Sequence, residues 1–184
     1  MQKMDTKPQA APNPVQGENE RKIFRRDPNP HIFRPITFRS VTARNRIVCS
    51  PMCQYSATDG VPNDWHFQHL GCRAVGGAGI VFAEMTNVEP RGRISPGCLG
   101  LWNDEQRDAF ARIARFVKAQ GALAGIQLAH AGRKASTMRP WEGGKPLSPA
   151  NGGWPVIGPS PIPFGEDHAV PQEMDEKTIS GVVA

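Results

Sequence analysis

From Arg46 onward the chain alternates between short apolar runs and longer amphipathic stretches. Ile47 to Met52 opens on a β-branched pair and reads as a strand. A loop follows, then a helix opening near Asn63-Asp64, with Phe67, Leu70 and Ala74 on one face and Gly76-Gly77 as its stop. Gly79 to Met85 is a continuous apolar strand. Asn103-Asp104-Glu105-Gln106 predicts an N-cap with Gln106 at the capping-box position. The helix behind it carries Phe110, Ile113 and Val117 at helical spacing and stops at Gly121. Leu123 to His130 is a third apolar strand. Strand, helix, strand, helix, strand is the pattern of right-handed βαβ units, so the expected class is α/β with a parallel sheet.

Outside this region the rhythm fails. Residues 1 to 30 are polar, hold Pro8, Pro12, Pro14, Pro28 and Pro30, and predict a disordered tail, since such a composition buries too little surface to offset its ordering entropy. Ile32 to Arg46 suggests a short hairpin with Phe33, Ile36, Phe38 and Val41 available for packing. Residues 139 to 171 hold eight prolines, Pro140 to Pro171, and several glycines; a connection this long is expected to be a lid or an excursion from the sheet. Periodicity resumes at Asp175, the expected N-cap of another helix.

The 184 residues suffice for one medium domain, and 39% hydrophobic with 21% charged residues is ordinary globular composition. The net charge of +5 comes from scattered basic residues with no block interleaved with aromatics, so no nucleic-acid partner is expected. No apolar run approaches the about 20 residues of a membrane span. The first residues lack the apolar core of a secretory signal, and Cys49, Cys53, Cys72 and Cys98 form no C-x-x-C pair. They read as reduced thiols in a cytoplasmic protein.

The first strand ends on Ser50, Pro51, Met52, Cys53 and, one residue further, Tyr55. Ligands of parallel α/β folds sit at the carboxyl ends of strands, so Cys53 and Tyr55 stand either at a ligand site or in a satellite packing cluster. Gln127 lies in the apolar run Gly125-Ile126-Gln127-Leu128-Ala129 and reads as a buried amide, costly by about 1–3 kcal/mol if unpaired. Its partner would be a layer contact inside a barrel or a ligand edge with matched donors and acceptors. Gly76-Gly77-Ala78-Gly79 joins a helix to a strand, the reverse of a dinucleotide fingerprint, and reads as structural. His66, His69 and Cys72 could share a helix face, but nothing supplies a further ligand, and no metal site is expected.

Three stretches carry a resemblance: "FRPITFRSVTARNRIVCSPMCQYSATDGVPNDWHFQHL", "GGAGIVFAEMTNVEPRGRISPGCLGLW" and "GIQLAHAGRKAS". In order and spacing they closely resemble the N-terminal half of the old yellow enzyme family, nearest its bacterial ene-reductase and xenobiotic-reductase branch. The resemblance implies an incomplete (β/α)8 TIM barrel over residues 31–184, an N-terminal hairpin plus about three parallel β/α units, with FMN at the strands' carboxyl ends. It implies that Ser50, Pro51, Met52 and Cys53 wrap one side of the isoalloxazine ring, with Cys53 near its reactive part. Tyr55 resembles the phenol that helps position substrate, and Gln127 the amide that hydrogen-bonds the flavin pyrimidine edge. Met85 joins the cofactor-binding set, at a position where the family commonly has a small residue, often Ala.

The implied chemistry is hydride transfer from NAD(P)H through FMN to an activated alkene such as an enone, or to a quinone-like acceptor, by a protein that at full length forms a homo-oligomer. A whole barrel takes about 250 residues. The family's substrate-anchoring histidine pair and its phosphate-binding loops are not in this sequence. Three readings follow: the N-terminal part of an ene-reductase, inactive alone; a half-barrel subunit needing a separate C-terminal chain; or a non-enzymatic remnant.

Overall fold

A computed structural model describes residues 28–183. The tail expected over residues 1–30 lies outside the described residues except for its last three. β1 (Ile36–Phe38) and β2 (Val41–Ala43) form the expected antiparallel hairpin, with Ile36 opposite Ala43. Its packing differs from expectation. Only Ala43 is fully buried, while Phe33, Phe38 and Val41 are exposed, because nothing among the described residues covers that side of the ribbon.

The central sheet is parallel throughout and consists of β3 (Val48–Cys49), β4 (Ile80–Asn87), β5 (Leu99–Gly100) and β6 (Leu123–Ala129). β6 accompanies β4 from Ile80 to Asn87 on one side. On the other side β3 pairs only at Ile80 and Val81, and β5 takes over at Thr86 and Asn87. The first strand is therefore shorter than the expected 47–52, because the chain leaves the sheet after Cys49. The vacated edge is filled by β5, whose two residues between polar and Gly-rich flanks gave no strand pattern.

Helix α1 (Asp64–Val75) follows β3, and α2 (Asp104–Ala119) follows β5. At α1, Asn63 Oδ1 accepts from the Trp65 amide at 3.1 Å, while His66 Nδ1 accepts from the Asn63 amide at 3.1 Å. A histidine thus closes the capping box that Glu or Gln ordinarily closes. At α2, Asn103 Oδ1 accepts from the Gln106 amide at 3.0 Å, as expected of the cap. The Gln106 side chain corrects the expectation: it bypasses Asn103, accepting from Trp102 N at 2.8 Å and donating to Asp59 O at 3.0 Å. It staples the loop before α1 to the loop before α2.

The core lies between the two helices and one face of the sheet. Leu70 and Ala74 of α1, Ile113 and Val117 of α2, and Val81 and Ala83 of β4 are buried together, with Phe67, Phe110, Ala124 and Ile126 against them. These include both apolar stripes read from the helical spacing. Phe67 and Phe116 meet at 4.8 Å, and Gly71 leaves room for the Phe116 ring.

The proline-rich stretch is an excursion rather than a formless loop. Two single turns of 3-10 helix and a parallel contact between β7 (Ile157–Gly158) and β8 (Gln172–Glu173) give it shape. Asp175 caps α3 (Glu176–Val183) by accepting from the Thr178 amide at 2.8 Å. Among the described residues no helix is long and apolar enough to cross a membrane.

Candidate functional site at the carboxyl end of the sheet

Sheet periodicity fixes what points where. Ala124 and Ile126 pack on the helices, so Gly125 and Gln127 face the opposite, helix-free side. Phe82 lies opposite Gly125 on that side, and its ring occupies the space a side chain at Gly125 would need. The ladder then slips: Ala83 pairs with Ile126, but Met85, not Glu84, pairs with Gln127. Glu84 is the extra residue of a β-bulge, a device that re-aims side chains beside functional sites. Met85 and Gln127 thereby stand side by side on the open face.

The segment leaving β3 closes over this point. The Cys53 thiol lies beside the Met85 backbone amide and the Tyr55 side chain, both of which work to favour its ionised form. Cys53 and Gln127, 74 positions apart, are thus separated by one residue of β4 at the same end of the sheet. Ser50 and Met52 are exposed, and Pro51 is half-buried beside them. Gln127 departs from the buried amide expected: it is exposed, and its side chain has no hydrogen-bond partner among the described residues. The helix-free face of β6 carries no covering layer here, which is why the apolar flanks did not translate into burial.

Tyr55 is held in a strained conformation, φ +51°, the left-handed region that suits a bulky residue poorly. Its carbonyl accepts from Arg139 Nε at 2.9 Å, and the Arg139 Nη1 binds Glu142 Oε1 at 2.9 Å. The exposed Trp141 ring meets the Tyr55 ring edge-on at 5.9 Å. Gly97 passes so close to the Tyr55 carbonyl that a Cβ there would collide with it. The excursion after β6 and the loop before β5 therefore clamp Tyr55 from two sides.

Electrostatics keep both candidate groups neutral. Burial, then the Glu84 charge and Cys98, push the Cys53 thiol up to about 11, against the opposing pull of its hydrogen bonds to Met85 and Tyr55. Burial and the neighbouring Cys53 and Cys98 push the Tyr55 phenol up to about 12.

Sequence reasoning missed Glu84, Arg139, Trp141 and the use of His66. Glu84 had a readable signal, a lone carboxylate inside the apolar run Ile80-Val81-Phe82-Ala83. Arg139 and Trp141 had none, being placed by long-range folding of the excursion. His66, His69 and Cys72 do not converge: His66 faces Asn63 and Glu84, while Cys72 Sγ lies against the His69 carbonyl and Arg73.

Comparison with known proteins bears on the family and the fold. The chain is 46% identical over 155 residues to an NADPH dehydrogenase of Listeria monocytogenes, covering 83% of this chain and 41% of that protein. It is 44% identical over 154 residues to an NADPH dehydrogenase of a Geobacillus species, with shares of 83% and 41%. The chain thus spans about two fifths of the length of these curated relatives. Among solved structures, the old yellow enzyme homologue of Zymomonas mobilis matches at 26% identity with a TM-score of 0.67, over 84% of this chain and 42% of that one. The old yellow enzyme of Trypanosoma cruzi matches in fold, with a TM-score of 0.67 at 23% identity, over 84% of this chain and 45% of that one. The hairpin and the consecutive parallel β/α units are accordingly those of an incomplete (β/α)8 barrel. A family model matches residues 31–184, and the chain belongs to the NADH:flavin oxidoreductase / NADH oxidase family.

Proposed function

We propose that this chain forms the FMN-cradling part of an NAD(P)H-dependent oxidoreductase that reduces activated alkenes, such as enones, or quinone-like acceptors. The observation that carries this reading is the convergence of Cys53, Tyr55, Met85 and Gln127 at one strand end. The residues fit a flavin edge: the Gln127 amide is exposed without a partner and offers both a donor and an acceptor to a pyrimidine-like edge. Met52, exposed at the rim, and Met85 supply adaptable apolar surface for a ring face. The chemistry the bound FMN supplies is hydride transfer between nicotinamide and acceptor.

Each residue's part follows from its state. Ser50, Pro51, Met52 and Cys53 line one side of the cradle, and Cys53 presents a neutral thiol there. Tyr55, protonated across the physiological range, donates a hydrogen bond to a substrate oxygen on which negative charge develops. The Arg139 and Trp141 clamp holds that phenol in place, which is where such catalysis gains most from rigidity. Among the described residues β6 pairs on one side only, with β4, so a reactive barrel needs further strands beside it, on the same chain or a second one.

The test joins this chain to the C-terminal part of the Listeria monocytogenes NADPH dehydrogenase. The fusion is expected to bind FMN and to oxidise NADPH in an alkene-dependent manner. Gln127→Ala should weaken FMN binding by about tenfold, the worth of one hydrogen-bonded amide edge. A folded fusion that binds no flavin overturns the proposal. Activity on mixing two separately made pieces would identify the half-barrel arrangement.

A further inference from the structure

We propose that Glu84, fixed between the Gln54 amide and His66, is a positioning residue that holds the Cys53–Tyr55 pair in place and in its protonated form. Glu84 is 4% exposed and His66 2%, both buried under the loop that carries the pair. The backbone amide of Gln54, the residue between Cys53 and Tyr55, donates to Glu84 Oε2. On the other side, His66 Nε2 lies 3.6 Å from Glu84 Oε1, at ion-pair range, and neither atom has another partner.

His66 Nδ1 lies 3.1 Å from the Asn63 amide and 3.0 Å from Asn63 Oδ1, which turns Nε2 toward Glu84. One carboxyl oxygen of Glu84 thus accepts from the Gln54 amide while the other faces the His66 ring. The bulge in β4 takes Glu84 out of the ladder, and its carboxyl group reaches His66 of α1. A negative charge buried here opposes ionisation of the thiol and the phenol alike, and Glu84 raises the pKa of both. The other titratable groups facing the cluster are His69 of α1 with Arg73 beside it, and Cys98 next to β5. Arg139 faces it from the excursion, committed to the Tyr55 carbonyl and Glu142. The purpose of the device rests on the flavin-site reading, but its operation does not.

The test uses the 184-residue chain without flavin. Iodoacetamide labelling at pH 8 is followed by peptide mass, with exposed Cys72 as the internal reference for Cys53. Glu84→Gln keeps the size and an acceptor for Gln54 but removes the charge. It is expected to raise the Cys53:Cys72 labelling ratio about threefold, as thiolate fraction follows a pKa lowered by about half a unit. Protection of the Gln54 amide from hydrogen exchange should persist in Glu84→Gln and vanish in Glu84→Ala. An unchanged labelling ratio in folded Glu84→Gln overturns the charge role, and retained protection in Glu84→Ala overturns the positioning role. A chain that passes these tests while the fusion binds no flavin would separate this device from the flavin reading.

Discussion

At the amino end of the sheet, Arg44 donates to the carbonyls of Gln120 at 2.6 Å, Ala74 at 2.8 Å and Ala78 at 3.0 Å. Asn45 adds a bond to the Gly77 carbonyl at 2.8 Å. One dipeptide leaving the hairpin thus closes the C-termini of α1 and α2 together, where leftover carbonyls and the helix dipole both favour a cation. At the carboxyl end the materials are opposite. Tyr55 is left-handed, and among the described residues Gln127 finds no side-chain partner while His66 and Glu84 keep atoms that no ordinary hydrogen bond satisfies. The first end spends its donors finishing the backbone. The second holds polar groups back, which costs stability and leaves chemistry to be done.

Removing Arg44 should break the comparison at its strongest point. Arg44→Ala strips donors from three carbonyls and is expected to cost about 2 kcal/mol, allowing for the partial exposure of the site. In a chain of this size that lowers Tm by about 4–8 °C, read by thermal unfolding. The Cys53:Cys72 labelling ratio of the folded variant should not move. If it does, the two ends are coupled through β3 and the division is wrong.

The carboxyl end has fastenings of its own, and the one at Glu89 gives a pH prediction. His130 Nε2 lies 2.7 Å from Glu89 Oε1, which also accepts from Arg91 Nε at 2.7 Å, while the Gly132 amide donates to His130 Nδ1 at 2.9 Å. Burial works to raise the Glu89 pKa, but the bonds from Arg91 and His130 outweigh it and hold the carboxyl below its ordinary 4.5. A depressed carboxyl contributes stability above its unfolded pKa and loses it as pH falls through the folded value. Unfolding followed from pH 6 to 3 should show this loss beginning below about pH 4.5 and absent in Glu89→Gln. Because both side chains are partly solvated, the neutral-pH cost of that variant is expected to be only about 0.5 kcal/mol.

What was legible in the sequence follows the same division. Elements announced by period were readable: the stripes Phe67-Leu70-Ala74 and Phe110-Ile113-Val117 face the core, and β4 and β6 pair over seven residues of each strand. The end of β3 was misjudged because Ser50, Pro51 and Met52 look strand-compatible while the chain has already left the ladder. Gln127 was read as buried because apolar neighbours predict burial only where both sheet faces are covered. Arg44, Arg139 and Trp141 act across 30 to 86 positions of sequence, where a local pattern carries no signal. Hydrophobic periodicity reports the covered face, and the candidate site lies on the other.

The smallest effect gives the sharpest check of that site. The Tyr55 hydroxyl neighbours the Cys53 sulfur as a hydrogen-bond donor to it, and this contact works to lower the thiol's pKa, against the larger upward push of burial and Glu84. Tyr55→Phe keeps the ring and its edge contact with Trp141 but deletes the bond. The thiolate then loses a donor, so Cys53 should become harder to ionise. The Cys53:Cys72 labelling ratio at pH 8 should fall about twofold, the opposite sign to Glu84→Gln and a smaller change, as befits one exposed-side hydrogen bond. Thermal stability should hardly alter, since the left-handed backbone and the Arg139 bond to the Tyr55 carbonyl remain. A rise in labelling would mean that the phenol shields Cys53 from reagent rather than bonding it, and the carboxyl end would then hold a lid where a polar pair is inferred.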